Sequence, residues 1–502
     1  MTAMKKALFL VAMLAACMAA WAQDAPVVPM SDAQLETEAY ALATEGDYAA
    51  ALPLFEEMAR RDPESFVPPY NIASALAQLG RVEESLDALD HAIELGFDDL
   101  AHLQNDPDLE PLRGSERFAE ILDAWPARME ALAQARFDAL IQRFGGGYAT
   151  EEDAFLRLRF AVGLPPESFA MARQELDLVS RWAVAHLFDN LSEADDASVP
   201  WVNVVIPTDG DFARWAAQRH GASARGATRQ IAGTYDHDRK ELVCKDLGAT
   251  LRHEVFHALH YRSQSLLGQR HASWIMEGLA SLVEDVDPNP DGTPSFTPSW
   301  RSNLVRKAHR GNGLKTLEQL AQTPDHLFVG TSQLLHYGHA RTVMLYLVAA
   351  GKLEAFYDNY VDTWERDRTG IQALERTFEA KIDQIELSFR RWIERLPVAP
   401  EQHHPPTATL GIDVDGERGE GLAVLRIARG SPGRKAGLRP RDVLVAINGQ
   451  GTRDINELYR VVGRYLPGDT VILSVRRGRR MLELPAELAS RREFDTVRIP
   501  GG

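Results

Sequence analysis

Apolar and small residues recur between positions 31 and 100 with a long period. Gly46 and Gly80 are 34 residues apart, and each follows one helical run and precedes another. After Gly46 come Tyr48, Ala51, Phe55, Met58 and Pro63; after Gly80, Val82, Ser85, Leu89 and Ala92 fall at the same offsets. A repeat of this length predicts helix pairs that bury such residues against their neighbours. A degenerate third unit, from Asp106-Pro107-Asp108-Leu109 to Phe118, predicts a capping helix. Residues 124–200 read mainly as helix, including Glu167 to Leu191. Val202 to Ile206 predicts a strand, followed by a helix from Asp211. Two more strands are predicted at Ile231 to Tyr235 and Glu241 to Cys244, with Asp236-His237-Asp238 as their turn. Helices then dominate from Ala249 to about Leu396. The Pro- and His-containing stretch 398–406 reads as a linker. Beyond it, strands are predicted at Leu422 to Ile427, Val443 to Ile447 and Val471 to Val475, with Asn448-Gly449 as a turn and a helix from Asp454 to Arg464.

Composition sharpens this picture. A chain of 502 residues predicts about three domains at roughly 150 residues each. Its 45% hydrophobic and 25% charged content argues against wholesale disorder. The net charge of -17 argues against a general nucleic-acid binder, which needs a basic face. That charge is unevenly placed. Residues 24–123 hold 23 acids and 5 bases, whereas 401–502 hold 13 acids and 17 bases. Three charge characters predict three modules, and the acidic one predicts a basic partner. Arg476-Arg477-Gly478-Arg479-Arg480 reads as a solvated hairpin tip.

Residues 1–22 read as an export signal: Lys5 and Lys6, an apolar run from Ala7 to Ala16, and Ala20-Trp21-Ala22 before the cut. The expected location is the periplasm. The alternative is a lipoprotein anchored through Cys17, because Leu14-Ala15-Ala16-Cys17 resembles a lipobox. Loss of this segment leaves Cys244 as the single cysteine, which excludes an intramolecular disulfide. In its strand, Cys244 is expected to be a small buried hydrophobe.

The strongest chemical signal is His253-Glu254-Val255-Phe256-His257. Two histidines at i and i+4 lie on one helical face, so both imidazoles can reach one zinc ion, with Glu254 beside its water. A second helix, Ser273 to Ala280, carries Glu277, 20 residues after His257. A carboxylate there completes a three-ligand site with one position left for water. Glu284 and Asp285 are rivals for that third place. With Glu-Gly-Leu-Ala at 277–280, residues 165–395 resemble the gluzincin metallopeptidases. More narrowly they are similar to an uncharacterised bacterial family in which a strand like Ala232 to Asp236 precedes Thr250-Leu251-Arg252-His253-Glu254. The resemblance implies one zinc ion held by His253, His257 and Glu277, with Glu254 as general base. It also implies Tyr337, in Tyr337-Gly338-His339-Ala340-Arg341, as donor to the oxyanion, with His336 and His339 as alternatives. One departure stands out. Where thermolysin-like enzymes carry an acid that orients a ligand histidine, this chain has Ser281. The Glu241 to Cys244 strand is expected to pair with an extended substrate as a sheet edge.

The repeat block is similar to tetratricopeptide repeats. Residues 406–490 resemble a PDZ domain of bacterial envelope proteases, through Leu410-Gly411-Ile412, Ser431-Pro432-Gly433, Ala436-Gly437-Leu438 and the helix after Asp454. That resemblance implies a peptide C-terminus bound by the backbone of Leu410, Gly411 and Ile412, with Leu458 lining the side-chain pocket. No Gly-x-Ser-x-Gly segment accompanies it.

The expected architecture is multidomain. It runs signal peptide 1–22, helical repeats 31–123, an α+β gluzincin-like domain 124–397 that is mainly helical with a small sheet, linker 398–406, and a β-rich PDZ domain 407–490. The expected function is an exported zinc peptidase whose terminal modules recruit substrate or protein partners. The alternative is an inactive envelope scaffold that keeps the peptidase fold.

Overall fold

A computed structural model describes residues 30–494 apart from 194–198, 221–231, 238, 331, 402–403 and 416–419. The export segment, Cys17, Ile231 and Asp238 lie outside the described residues. The chain divides into two compact units: Met1–Asp98 with Asn105–Asp123, and Asp99–Gln104 with Ala124–Gly502.

The first unit contains Asp32–Thr44 (α1), Tyr48–Arg61 (α2), Val67–Gln78 (α3) and Val82–Leu95 (α4). Gly46 and Gly80 turn the chain between α1 and α2 and between α3 and α4, at φ +80° and +74°. Glycine takes this left-handed conformation without a Cβ clash, so the repeated glycine marks a repeated turn. Ala39, Ala51, Leu52, Phe55, Ala75 and Leu76 form the core between the helices. The third unit departs from the expected capping helix. Its first part, Pro107–Leu112, is a 3-10 helix. The Tyr48 and Tyr70 hydroxyls hold that stretch by donating to Asp108 and Asp106, each at 2.8 Å. Glu116 then opens a 28-residue helix to Arg143 (α5), and the expected boundary after residue 123 falls inside it.

The second unit is built on a five-stranded sheet of Ala149–Asp153 (β1), Leu158–Val162 (β2), Val202–Ile206 (β3), Gly233–Asp236 (β4) and Glu241–Cys244 (β5). Its spatial order is β1-β2-β3-β5-β4. β2, β3 and β5 run parallel, while β1 and β4 are antiparallel edges. Every residue of β2 and β3 is buried, because helices cover both faces. Alternation assigns the two faces. Phe160, Val204 and Leu242 join the main core, whereas Ala161, Val205 and Val243 join a smaller core with Phe144, Phe212 and Trp215. Cys244 is buried in the main core, and burial pushes its thiol pKa up. The expected helix from Glu167 to Leu191 is two: Pro166–His186 (α6) and a short turn at Asn190–Glu193.

The helical half then follows: Ala249–Leu267 (α7), Ser273–Leu282 (α8), Trp300–Arg310 (α9), Gln333–Ala349 (α10) and, after shorter helices, Ile382–Arg395 (α11). A hairpin not foreseen in the sequence, Val286–Pro288 (β6) with Pro294–Phe296 (β7), separates α8 from α9. α8 lies tight against α10, since a Cβ on Gly278 would sit 3.0 Å from the Ala340 carbonyl oxygen. That close approach sets Glu277, the neighbouring residue, against α10.

From residue 408 the chain forms its own sheet and core within this unit. The strands are Ala408–Thr409 (β8), Ile412–Asp415 (β9), Leu422–Ile427 (β10), Val443–Ile447 (β11), Gln450–Gly451 (β12), Thr470–Arg477 (β13), Arg480–Glu487 (β14) and Ala489–Ser490 (β15). The order β14-β13-β11-β10-β9 leaves β9 at an edge, and Ile455–Val462 (α12) lies beside that edge. No helix among the described residues is long and apolar enough to cross a membrane.

Candidate metal centre

α7 is buried almost all round, and its buried set includes Arg252, His253, His257, His260, Arg262, Ser263 and Gln264. Burying that many polar side chains on one helix is costly unless each is satisfied. The Asp246 carboxylate starts the helix by accepting from the Gly248 and Thr250 amides at 3.0 and 2.9 Å.

His253 and His257, one turn apart, bring their Nε2 atoms within 3.0 Å of each other. Glu277 reaches them from α8, with Oε2 3.4 Å from each Nε2. These three residues form a group whose ligand atoms all lie within 4.8 Å of one another. Glu277 Oε2 is buried and takes no hydrogen bond among the described residues. A buried carboxylate oxygen without a hydrogen bond, facing two imidazole nitrogens, is a donor set that fits a divalent cation. The electrostatics agree. Burial opposes ionisation of Glu277, yet the charges of His257 and His253 hold its pKa far below the usual carboxylate range. Burial likewise opposes a charge on His253, but the Glu277 and Glu284 carboxylates raise its pKa to about 10.

Glu284 and Asp285, the rivals for the third ligand, stand elsewhere. α8 ends at Leu282, so Glu284 and Asp285 lie beyond the helix and do not continue the face that carries Glu277. Glu284 Oε1 lies 3.0 Å from His253 Nδ1, on the far side of the ring from the Nε2 that faces Glu277. Arg301, from α9, grips the same carboxylate with two hydrogen bonds of 2.7 and 2.8 Å. Burial raises and Arg301 lowers the Glu284 pKa, which comes to about 2. Glu284 thus sets a carboxylate beside the outer nitrogen of a histidine, the place that the acid at the Ser281 position serves in thermolysin-like enzymes. Ser281 itself is buried with its hydroxyl unpartnered among the described residues, and its carbonyl accepts from Arg341. Asp285 faces Arg341 at 3.5 Å.

Glu254 points to β4, where its Oε2 accepts from the Tyr235 amide at 2.9 Å. β4 is the edge of the sheet. The Glu241 to Cys244 strand, expected at the edge, is instead paired on both sides, by β3 and β4. The correction is topological: β4 folds back on β5 and takes the outer position.

Tyr337 lies on α10 with its ring nearly parallel to that of His253, at 6.3 Å between centroids. Burial and the Glu277 charge push its phenol well above its ordinary pKa, so the hydroxyl keeps its proton. The alternatives face away. His336 Nδ1 is 3.0 Å from the Phe328 carbonyl, and its ring stacks on Phe328. His339 stacks on Phe389 of α11, and burial lowers its pKa to about 3. One helix turn separates these directions.

In the C-terminal part, β9 and α12 enclose a groove of about 370 Å³ lined by Leu410, Ile412, Val414, Ile455, Leu458 and Val462 among others. Gly411 has φ +63°, and a Cβ there would come within 2.5 Å of Ser431 Cβ, so only glycine fits this loop. Its amide already donates to the Thr409 hydroxyl at 3.1 Å.

Similarity to known proteins covers the terminal modules. The tetratricopeptide repeat family model matches residues 42–105, and the PDZ domain model matches 424–477. A chloroplastic protein of Arabidopsis thaliana is 38% identical over 80 residues, which is 15% of this chain and 24% of that protein. A probable periplasmic serine endoprotease of DegP-like type from Chlamydia muridarum is 36% identical over 69 residues, 14% of either chain. The chain thus spans about a quarter or less of these curated relatives. Among solved structures, the HtrA-type protease AlgW with a decapeptide shares 25% identity over 22% of this chain and 35% of its own, with a TM-score of 0.16. An aminopeptidase N family protein of Idiomarina loihiensis shares 13% identity over 69% of this chain and 67% of its own, with a TM-score of 0.27. Residues 42–105 are therefore tetratricopeptide repeats, and residues 424–477 belong to a PDZ domain.

Proposed function

We propose that this chain is an exported zinc-dependent peptidase whose repeat and PDZ modules recruit substrate or protein partners. The observation that carries the reading is the convergence of His253, His257 and Glu277 on one point, with Glu277 Oε2 left without a hydrogen bond among the described residues. His253, His257 and Glu277 would hold a zinc ion, which when bound would supply Lewis acidity toward a scissile carbonyl and an attacking water. Glu254 takes a proton from that water and delivers it to the leaving amine nitrogen. The Tyr235 amide orients the Glu254 carboxylate for this task. The Tyr337 hydroxyl, kept protonated, donates to the oxyanion of the tetrahedral intermediate. An extended substrate adds to the outer edge of β4, whose Tyr235 amide meets Glu254.

The modules extend the reading. The groove between β9 and α12 takes a free peptide C-terminus at Leu410, Gly411 and Ile412, with its last side chain against Leu458. The acidic repeats suit a basic partner. Residues 1–22 direct export to the periplasm, ending in cleavage after Ala22 or in lipidation at Cys17. Relatives that share part of this sequence include probable periplasmic serine endoproteases, and this supports a peptidase setting for the PDZ module.

The test is cleavage of a diverse peptide mixture by the purified full chain, read by mass spectrometry. Hydrolysis should disappear with 1,10-phenanthroline and return on adding zinc. Hydrolysis indifferent to the chelator, or none under any metal condition, would contradict the proposal.

A further inference from the structure

A buried ion cluster joins the PDZ domain to the metal centre. Arg453, just before α12, donates from both terminal nitrogens to Glu175 of α6, at 2.9 and 3.0 Å. Glu175 also accepts from Arg252, the residue before His253. The remaining Arg252 nitrogens donate to the backbone carbonyls of Val283, at 3.0 Å, and Glu284. Glu284 in turn carries the carboxylate set against His253 Nδ1. The contacts run unbroken from Arg453 through Glu175, Arg252 and Glu284 to His253. Arg453 and Arg252 are only 4% and 2% exposed, so water does not loosen the chain of contacts. Glu457 balances the second guanidinium, 3.3 Å from Arg453 Nη1. It also sits against the start of α7, where a Cβ on Gly248 would lie 2.8 Å from its Oε1.

Stability alone does not account for this cluster. A buried ion group is often no more stabilising than an apolar one of the same volume, because desolvation offsets the attraction. Arg464 already ties the same domain to Asp287 of β6, and its other partner is Gln450, outside the His253 network. The Arg453 path differs in where it ends.

We propose that Arg453 is a positioning residue of the metal centre, acting through Glu175 and Arg252 to hold the Val283–Glu284 backbone and with it the orientation of His253. The inference rests on the zinc reading above. It makes the PDZ domain part of the metal site's support. α12, which Arg453 precedes, is also a wall of the peptide groove, so groove and metal centre share one mechanical element.

The experiment is zinc affinity of the full chain by competition with a chromophoric chelator, for wild type, R453M, R453K and an R464M control. R453M should weaken zinc binding about 10- to 100-fold, as loss of a ligand-orienting contact does. R453K, which keeps a charge toward Glu175, should recover most of that loss. The control should stay within about threefold, because residues outside the network add independently. R453M combined with E175Q should lose no more than R453M alone, since the two belong to one path. Unchanged affinity in R453M, or equal loss in the control, overturns the proposal and leaves the zinc reading standing. Absence of zinc binding in wild type overturns both. If R453M fails to fold, E175Q decides: a loss of about tenfold or more with the control unmoved supports the path, and wild-type affinity overturns it.

Discussion

Glu254→Gln should leave zinc content at the wild-type level while peptide hydrolysis falls about a hundredfold to ten-thousandfold, the range that general acid–base catalysis contributes. The substitution keeps the shape and the hydrogen bond from the Tyr235 amide, because an amide oxygen accepts there as a carboxylate oxygen does. It removes the one property the mechanism needs, the capacity to take up a proton. His253, His257 and Glu277 are untouched, so the ligand set stays whole. The measurement pairs metal analysis with single-turnover cleavage of one identified peptide. Equal rates for the variant and the wild type would remove Glu254 from the chemistry.

Glu284→Ala should weaken zinc binding about 10- to 100-fold and also destabilise the metal-free fold by about 3–5 kcal/mol. Two effects are expected because Glu284 has two partners. On one side His253 loses the carboxylate that stands 3.0 Å from its Nδ1. On the other side Arg301, only 11% exposed, loses both hydrogen bonds and is left as a buried charge near Arg341. Chelator competition reads the first effect, and urea unfolding of the metal-free chain reads the second. Glu284→Gln separates them. It keeps an acceptor for His253 but not the charge that balances Arg301, so zinc affinity should recover more than stability does.

Much of the site is legible in the sequence because its elements are local. His253 and His257 need only one helical turn to meet, and that spacing is written in five consecutive residues. Glu277 is legible because the next helix in sequence is also the next in space, after the short 268–272 connection. What the chain order hides is set by tertiary return. Glu284 reads as a rival ligand, since the residues before it read as helix. α8 stops at Leu282, and the two extra residues carry the carboxylate round to the back of His253. Arg301 lies beyond an intervening hairpin and Glu175 lies 78 residues before His253, so no local pattern marks either as a neighbour. The edge strand is hidden for a related reason. β4 and β5 are equally short, and only the parallel pairing of β5 with β3 decides which is outermost.

The modules are legible through backbone requirements rather than apolar content. Gly46 and Gly80 mark equal turns, and Gly411 marks a loop with no room for a side chain. The third repeat departs from expectation where Pro107 and Pro111 favour a 3-10 turn over an α-helix.

The central claim is that His253, His257 and Glu277 hold one zinc ion. The most direct measurement is the metal content of the purified full chain at neutral pH, taken beside a His253→Ala/His257→Ala variant. One zinc per wild-type chain, with none in the variant, is the expected result. A wild-type chain that retains no zinc, or a variant that retains as much, would contradict it.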